Sequence, residues 1–201
     1  EGPVIQRANV RALSGGVTTD KVFDMVVKIR KNSSVPMVFM TYANVVFSYG
    51  TERFIKTAAE IGMDGLILPD VPFEEKEEFD SVCKKYGIDP ISLIAPTSHE
   101  RVAQIAKDAE GFVYCVSSLG VTGTRTNITT DIGAMVKLVK QAKDIPCAVG
   151  FGISTPEQAK KMAGGAIVGS AIVKLCAQYG RDCVPYVKEY VKSMKDAVME
   201  A

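Results

Sequence analysis

Apolar residues along this chain come in short unbroken runs, each followed by a stretch in which they recur every three or four positions. The runs are VPMVFMTYA, DGLILPDV, DPISLIAP, GFVYCVSS, IPCAVGFG and GAIVGSAIV. Strands that are apolar throughout belong to a parallel sheet covered on both faces. Between them the spacing predicts helices over 52–61, 74–86, 101–109, 132–142 and from Thr155 onward, with a last helix to the C-terminus. One further helix precedes the first strand, capped at Thr18 or Thr19, with Val22, Val26 and Ile29 on one face. Val184, Val187, Val191, Met194 and Val198 form the same stripe near the C-terminus. Thr155-Pro156-Glu157-Gln158 is a helix start: a capping threonine, a proline at the first helical position and a glutamine three residues after the cap.

Repeated strand–helix units fit a (β/α)8 barrel or an open doubly wound sheet. The runs give six strands, whereas a closed barrel takes eight strands and about 250 residues. The opening EGPVIQ reads as the middle of a loop. The expectation is one α/β domain over 1–201, a (β/α)8 barrel whose first two strands are missing from the chain.

Composition narrows the function. The 201 residues are 47% hydrophobic and 23% charged, as in globular proteins. A net charge of +1 without a basic run argues against nucleic-acid binding. The apolar runs fall short of the roughly 20 residues of a membrane span. The five cysteines include no C-x-x-C pair, and with one histidine, His99, a metal site is not expected. They read as small buried hydrophobes of a reducing cytoplasm. His99 begins a helix away from every motif.

Two neighbouring strands end in residues with almost no side chain: Gly150 and Gly152 in AVGFGIS, Gly169 and Ser170 in GAIVGSAIVK. In barrels of this kind a phosphate sits among the last two strand–helix loops, held by backbone N–H groups at a helix start. A side chain would block that approach. The other explanation is tight turns or close strand–helix packing. A third glycine-rich piece, SSLGVTGTRTNITTD, is long and polar at the end of a strand, the place of an active-site lid or of a variable surface loop.

Together EGPVIQRANVRAL, MTYANVVFSYG, LILPDVPFEE, YCVSSLGVTG, GFGIS with PEQ after it, and GAIVGSAIVK resemble the tryptophan synthase α subunit family, in the family's order along the whole chain. The resemblance implies a (β/α)8 (TIM) barrel that splits indole-3-glycerol phosphate into indole and glyceraldehyde 3-phosphate in tryptophan biosynthesis. It implies no cofactor in this subunit. It also implies a pyridoxal-phosphate β subunit as partner in an α2β2 assembly, to which the indole passes. The family's first-strand glutamate, which handles the proton at indole C3, has no match in this sequence. Its second carboxylate, an aspartate in D-G-P that meets the indole nitrogen, matches Glu1 in E-G-P, one methylene longer. Tyr114 matches the tyrosine near the glycerol moiety, and Thr122 the loop threonine that orients the carboxylate. The resemblance assigns the phosphate to Gly123, Gly152, Gly169 and Ser170, beside Gly150 and Phe151. Tyr42, Leu68 and Ile94 would wall the indole pocket. Asn44 and Asp70 would face the β subunit, although a turn-stabilising role for Asp70 is equally open. The segment between PEQ and GAI is a few residues shorter than in the family. An α-like subunit that activates its partner without chemistry is the alternative, with Glu1 in its favour.

Overall fold

The computed structural model describes residues 2–116, 131–150, 152–161 and 165–200. Two helices come first, α1 (Pro3–Ser14) and α2 (Thr19–Arg30), where the pattern predicted one. Residues 2–6 are a helix start rather than a loop. Gly2 stands in extended backbone as the cap, and Pro3 takes the first helical position, where the helix has no use for an N–H. In α2 the cap is Thr18, whose Oγ1 accepts the Lys21 N–H at 3.3 Å.

The first strand, β1 (Val38–Met40), leads into α3 (Ala43–Tyr49) and α4 (Thr51–Glu60). The pattern missed α3, because seven residues are too few for a helical period to register. Gly50, at a φ of 95° that favours glycine, separates the two helices. There follow β2 (Gly65–Ile67), α5 (Glu77–Tyr86), β3 (Asp89–Pro90), β4 (Ser92–Ile94), α6 (His99–Asp108) and β5 (Val113–Val116). The chain continues with α7 (Ile132–Ala142), β6 (Cys147–Gly150), α8 (Pro156–Lys160), α9 (Ser170–Tyr179) and α10 (Val184–Met199). Thr155 and Gln158 form the expected capping box, each side chain accepting from the other's backbone N–H, at 3.3 and 3.2 Å. Ser98 and Asp131 cap α6 and α7. Two boundaries differ from the sequence pattern. The second half of GAIVGSAIV is already helix α9, and Gly180 breaks the predicted C-terminal helix into α9 and α10.

All strand pairs are parallel and follow chain order. β3 pairs with β2, and β4 pairs with β5. They are two parts of one strand that uses its left edge and then its right, with the Ile91 N–H still bonded to the Leu66 carbonyl at 2.9 Å. Beyond β6 the sheet continues at Ala166, bridged in parallel to Val149, with the Ile167 N–H on the Val149 carbonyl at 2.7 Å. That makes the six strand positions counted in the sequence.

Which way the side chains face separates the barrel from the open sheet. Leu66 and Phe39 pack with α2 to α5, and Ile94, Val113, Cys115, Cys147 and Val149 pack with α6 to α8 and α10. The alternate residues Val38, Ile67, Ile91, Leu93, Ala95, Tyr114, Val116 and Ile167 form a separate cluster together with Phe112. A doubly wound sheet carries helices on both faces. Here one face collects the helices and the other is filled by strands from the first to the last, which is the interior of a barrel. Helix α1 lies against α9.

Candidate functional site

Parallel strands end together, so the C-terminal ends of β1, β2, β4, β5 and β6 and of the stretch after Ala166 share one rim. Pleating decides which of their residues look inward. In β5, Tyr114 and Val116 do so, while Val113 and Cys115 face the helices. Tyr114 is 5% exposed, and burial pushes its phenol up to about 12. At neutral pH it is therefore an uncharged hydroxyl that donates or accepts a hydrogen bond, not a base.

Gly150 owes its identity to that tyrosine. A β-carbon there would overlap Tyr114 Oη and come within 2.5 Å of ring atoms Cε1 and Cζ. The ring lies across the bare backbone at the end of β6. Packing explains this glycine, but against the neighbouring strand's Tyr114 rather than against a helix, the packing expected from the sequence. Gly152, two residues on, is buried at a φ of 90°, in the left-handed region that glycine alone enters readily.

Gly169 and Ser170 have a different setting. Gly169 is the N-cap of α9 and exposed, and a β-carbon added to it would meet nothing within 4 Å. Neither packing nor φ (−112°) requires a glycine there. α9 has no side-chain cap and no acidic residue in its first turn. The Val173 N–H closes the first helical bond onto the Gly169 carbonyl at 3.0 Å. The N–H groups of Ser170, Ala171 and Ile172 precede it and have no acceptor within the helix. An open helix start beside two glycine-ended strands is suited to an anion. The helix dipole contributes about 0.3–1 kcal/mol there, up to roughly 2 when partly buried.

The apolar wall is not the one expected. Leu68 and Ile94 sit one residue out of phase, facing the helices. Ile94 is fully buried among Val102, Val113 and Cys115, and Leu68 lines a small cavity with Val71, Phe79 and Ile105 under α5. Their inward neighbours are Ile67 and Leu93. A one-residue shift turns every side chain of a strand to the other face, and in runs such as LIL and SLI apolarity does not mark the phase. The packing of Tyr114 supplies it, because Leu93 and Tyr114 are partners in the β4–β5 register.

Tyr42, Asn44 and Asp70 lie at the β1 and β2 end of the rim. Tyr42 caps α3 and is 38% exposed. Asn44 and Asp70 share an open groove with Phe47, Val71, Glu75 and Glu78. Asp70 does not stabilise its own turn. Its carboxylate accepts the Ala43 N–H at 3.0 and 3.2 Å, capping α3 from the neighbouring loop. A negative group at a helix N-terminus is favoured twice, by the hydrogen bond and by the dipole. Asp70→Ala should cost about 0.5–2 kcal/mol, read as a lower urea midpoint at unchanged slope. Asp70→Asn, which keeps an acceptor, should recover most of it.

Glu1, Thr122, Gly123 and Phe151 lie outside the described residues, as does the rest of 117–130. His99 is the exposed first residue of α6. Among the described residues no group of three or more His, Cys, Asp or Glu side chains could hold a metal, and no helix is long and apolar enough to cross a membrane.

Comparison with known proteins agrees with this geometry. The profile of the family described as "Tryptophan synthase alpha chain" matches residues 1–199. The chain is 46% identical to the tryptophan synthase alpha chain of Lacticaseibacillus casei, over 98% of this chain and 76% of the relative. It is 45% identical to that of Thermoanaerobacter sp. strain X514, over 98% and 78%. Among solved structures, a chain from the tryptophan synthase α2β2 complex of Pyrococcus furiosus superposes with a TM-score of 0.87 at 34% identity, covering 98% of this chain and 81% of that one. Tryptophan synthase subunit alpha of Legionella pneumophila str. Paris gives 0.86 at 35%, covering 100% and 77%.

Proposed function

The chain belongs to the tryptophan synthase alpha chain family, and from that premise we propose that it cleaves indole-3-glycerol phosphate to indole and glyceraldehyde 3-phosphate, a carbon–carbon lyase of tryptophan biosynthesis. The observation that carries this reading is the corner of the rim where the open start of α9, with nothing over Gly169, adjoins Tyr114 laid on Gly150. A phosphate on the N–H groups of α9 anchors the substrate, and the glycerol chain runs from there past the Tyr114 hydroxyl. The indole ring then rests against inward residues such as Ile67 and Leu93.

The reaction is a retro-aldol split. Indole C3 gains a proton, the bond from C3 to the glycerol carbon breaks, and the hydroxyl on that carbon gives up its proton as the aldehyde forms. Positive character that builds on the indole nitrogen needs a carboxylate beside it. Glu1 takes that part in our reading, with Thr122 orienting it. The proton at C3 belongs to the first-strand glutamate that the resemblance calls for. Tyr114, held neutral by its burial, hydrogen-bonds the glycerol oxygens. Gly123, Gly152 and Ser170 complete the phosphate contacts, with Phe151 beside them.

We assign no cofactor to this subunit and pyridoxal phosphate to its partner. The partner is a tryptophan synthase β subunit in an α2β2 assembly, of the kind seen for the Pyrococcus furiosus relative. The groove of Asn44 and Asp70 is its contact on this side. A cytoplasmic location fits such a biosynthetic enzyme. The test is indole release from indole-3-glycerol phosphate by the full-length protein, alone and with its β subunit. Release that rises on adding the partner supports the proposal. An activated partner with no indole formed would leave only the non-catalytic alternative.

A further inference from the structure

We propose that Cys176 and Cys183 are an oxidation site, two thiols that close to a disulfide across the α9–α10 corner when they meet a low-molecular-weight disulfide such as oxidised glutathione. Reading all five cysteines as buried hydrophobes holds for Cys83, Cys115 and Cys147, but Cys176 is exposed and Cys183 only half-buried.

The corner is built around Gly180, whose φ of 56° reverses the chain. The Gly180 N–H bonds the Cys176 carbonyl, and the Cys183 N–H bonds the Gly180 carbonyl at 3.4 Å. One glycine thus ties both cysteines by their backbones. Three residues beyond each thiol stands a tyrosine, and the rings of Tyr179 and Tyr186 stack at 3.6 Å with planes 6° apart. The corner therefore brings positions seven apart together side by side. Burial, with Cys183 beside it, pushes the Cys176 thiol up. The protein holds its own control: Cys115 and Cys147 stand on the neighbouring strands β5 and β6 and face the same side, but both are buried between sheet and helices, where no oxidant arrives.

The exchange is balanced. The Cys176 thiolate attacks one sulfur of glutathione disulfide, expels a glutathione thiolate and leaves a mixed disulfide. The Cys183 thiolate then attacks the Cys176 sulfur and expels the second glutathione. The two protons lost by the cysteines go to the departing thiolates, so two protein thiols are oxidised and one disulfide is reduced to two thiols. The new bond fastens the far end of α9 to α10. Nothing in this inference depends on the proposed reaction.

The experiment treats the folded full-length protein with excess glutathione disulfide, blocks remaining thiols by alkylation and maps tryptic peptides by mass spectrometry. Peptides 175–181 and 182–188 should appear joined by one disulfide, separate again on reduction, and be absent as a pair from Cys176→Ser and Cys183→Ser. In those variants the remaining thiol should stay free or carry a single glutathione. Cys83, Cys115 and Cys147 should be alkylated only after unfolding. Glutathione left on Cys176 or Cys183 of the unsubstituted protein without the joined pair, or a disulfide through any of the other three cysteines, would overturn the proposal.

Discussion

Gly150→Ala should destabilise the protein by about 3 kcal/mol or more, the upper end of what overpacking a core costs. The single added carbon would overlap the Tyr114 hydroxyl and lie 2.5 Å from two ring carbons. The ring has nowhere to go, because it is buried among Ile67, Ile91 and Val116 in the barrel interior. The backbone cannot give way either, since Gly150 is paired with Val116 in the β5–β6 ladder. Urea unfolding followed by circular dichroism reads the loss. Pairing the change with Tyr114→Ala should return a large part of it, because the second substitution removes what the first collides with. Strictly additive losses in the double variant would show that the two residues do not meet.

Gly169→Asp should do the reverse, leaving the fold intact while crippling binding. The added side chain meets nothing, and an aspartate at an N-cap is among the best helix starts. The urea midpoint should therefore stay level or rise. The same carboxylate stands where the substrate phosphate is to be held. Two like charges about 4 Å apart repel by roughly 1 kcal/mol in water and about 4 kcal/mol near a protein surface. KM for indole-3-glycerol phosphate should rise by at least tenfold, with a much smaller change for an analogue lacking the phosphate. An unchanged KM would place the phosphate elsewhere. Side by side, the two glycines separate two reasons for the same residue type, close packing at Gly150 and an open approach at Gly169.

That separation also shows how much of the site was legible beforehand. The motif singled out four positions, but a lone G does not say whether its missing β-carbon makes room for a neighbour or for a ligand. The neighbour of Gly150 is Tyr114, 36 positions earlier in the chain, which no local pattern reveals. Asp70 is a similar case. From the sequence it was a turn residue or a partner contact, yet its carboxylate caps α3, a helix that begins 27 positions earlier and that the periodicity missed.

The sequence by itself determined the alternation of strands and helices, the parallel sheet, the cap at Thr155 and the glycine-ended rim. These are local properties, set by periodicity and by the backbone chemistry of a few adjacent residues. Only the tertiary structure decided that the sheet curls into a barrel and that Ile67 and Leu93, rather than Leu68 and Ile94, line its interior. A strand apolar on both faces carries no mark of which face is inside. That choice is made when helices cover one side and the strands close over the other.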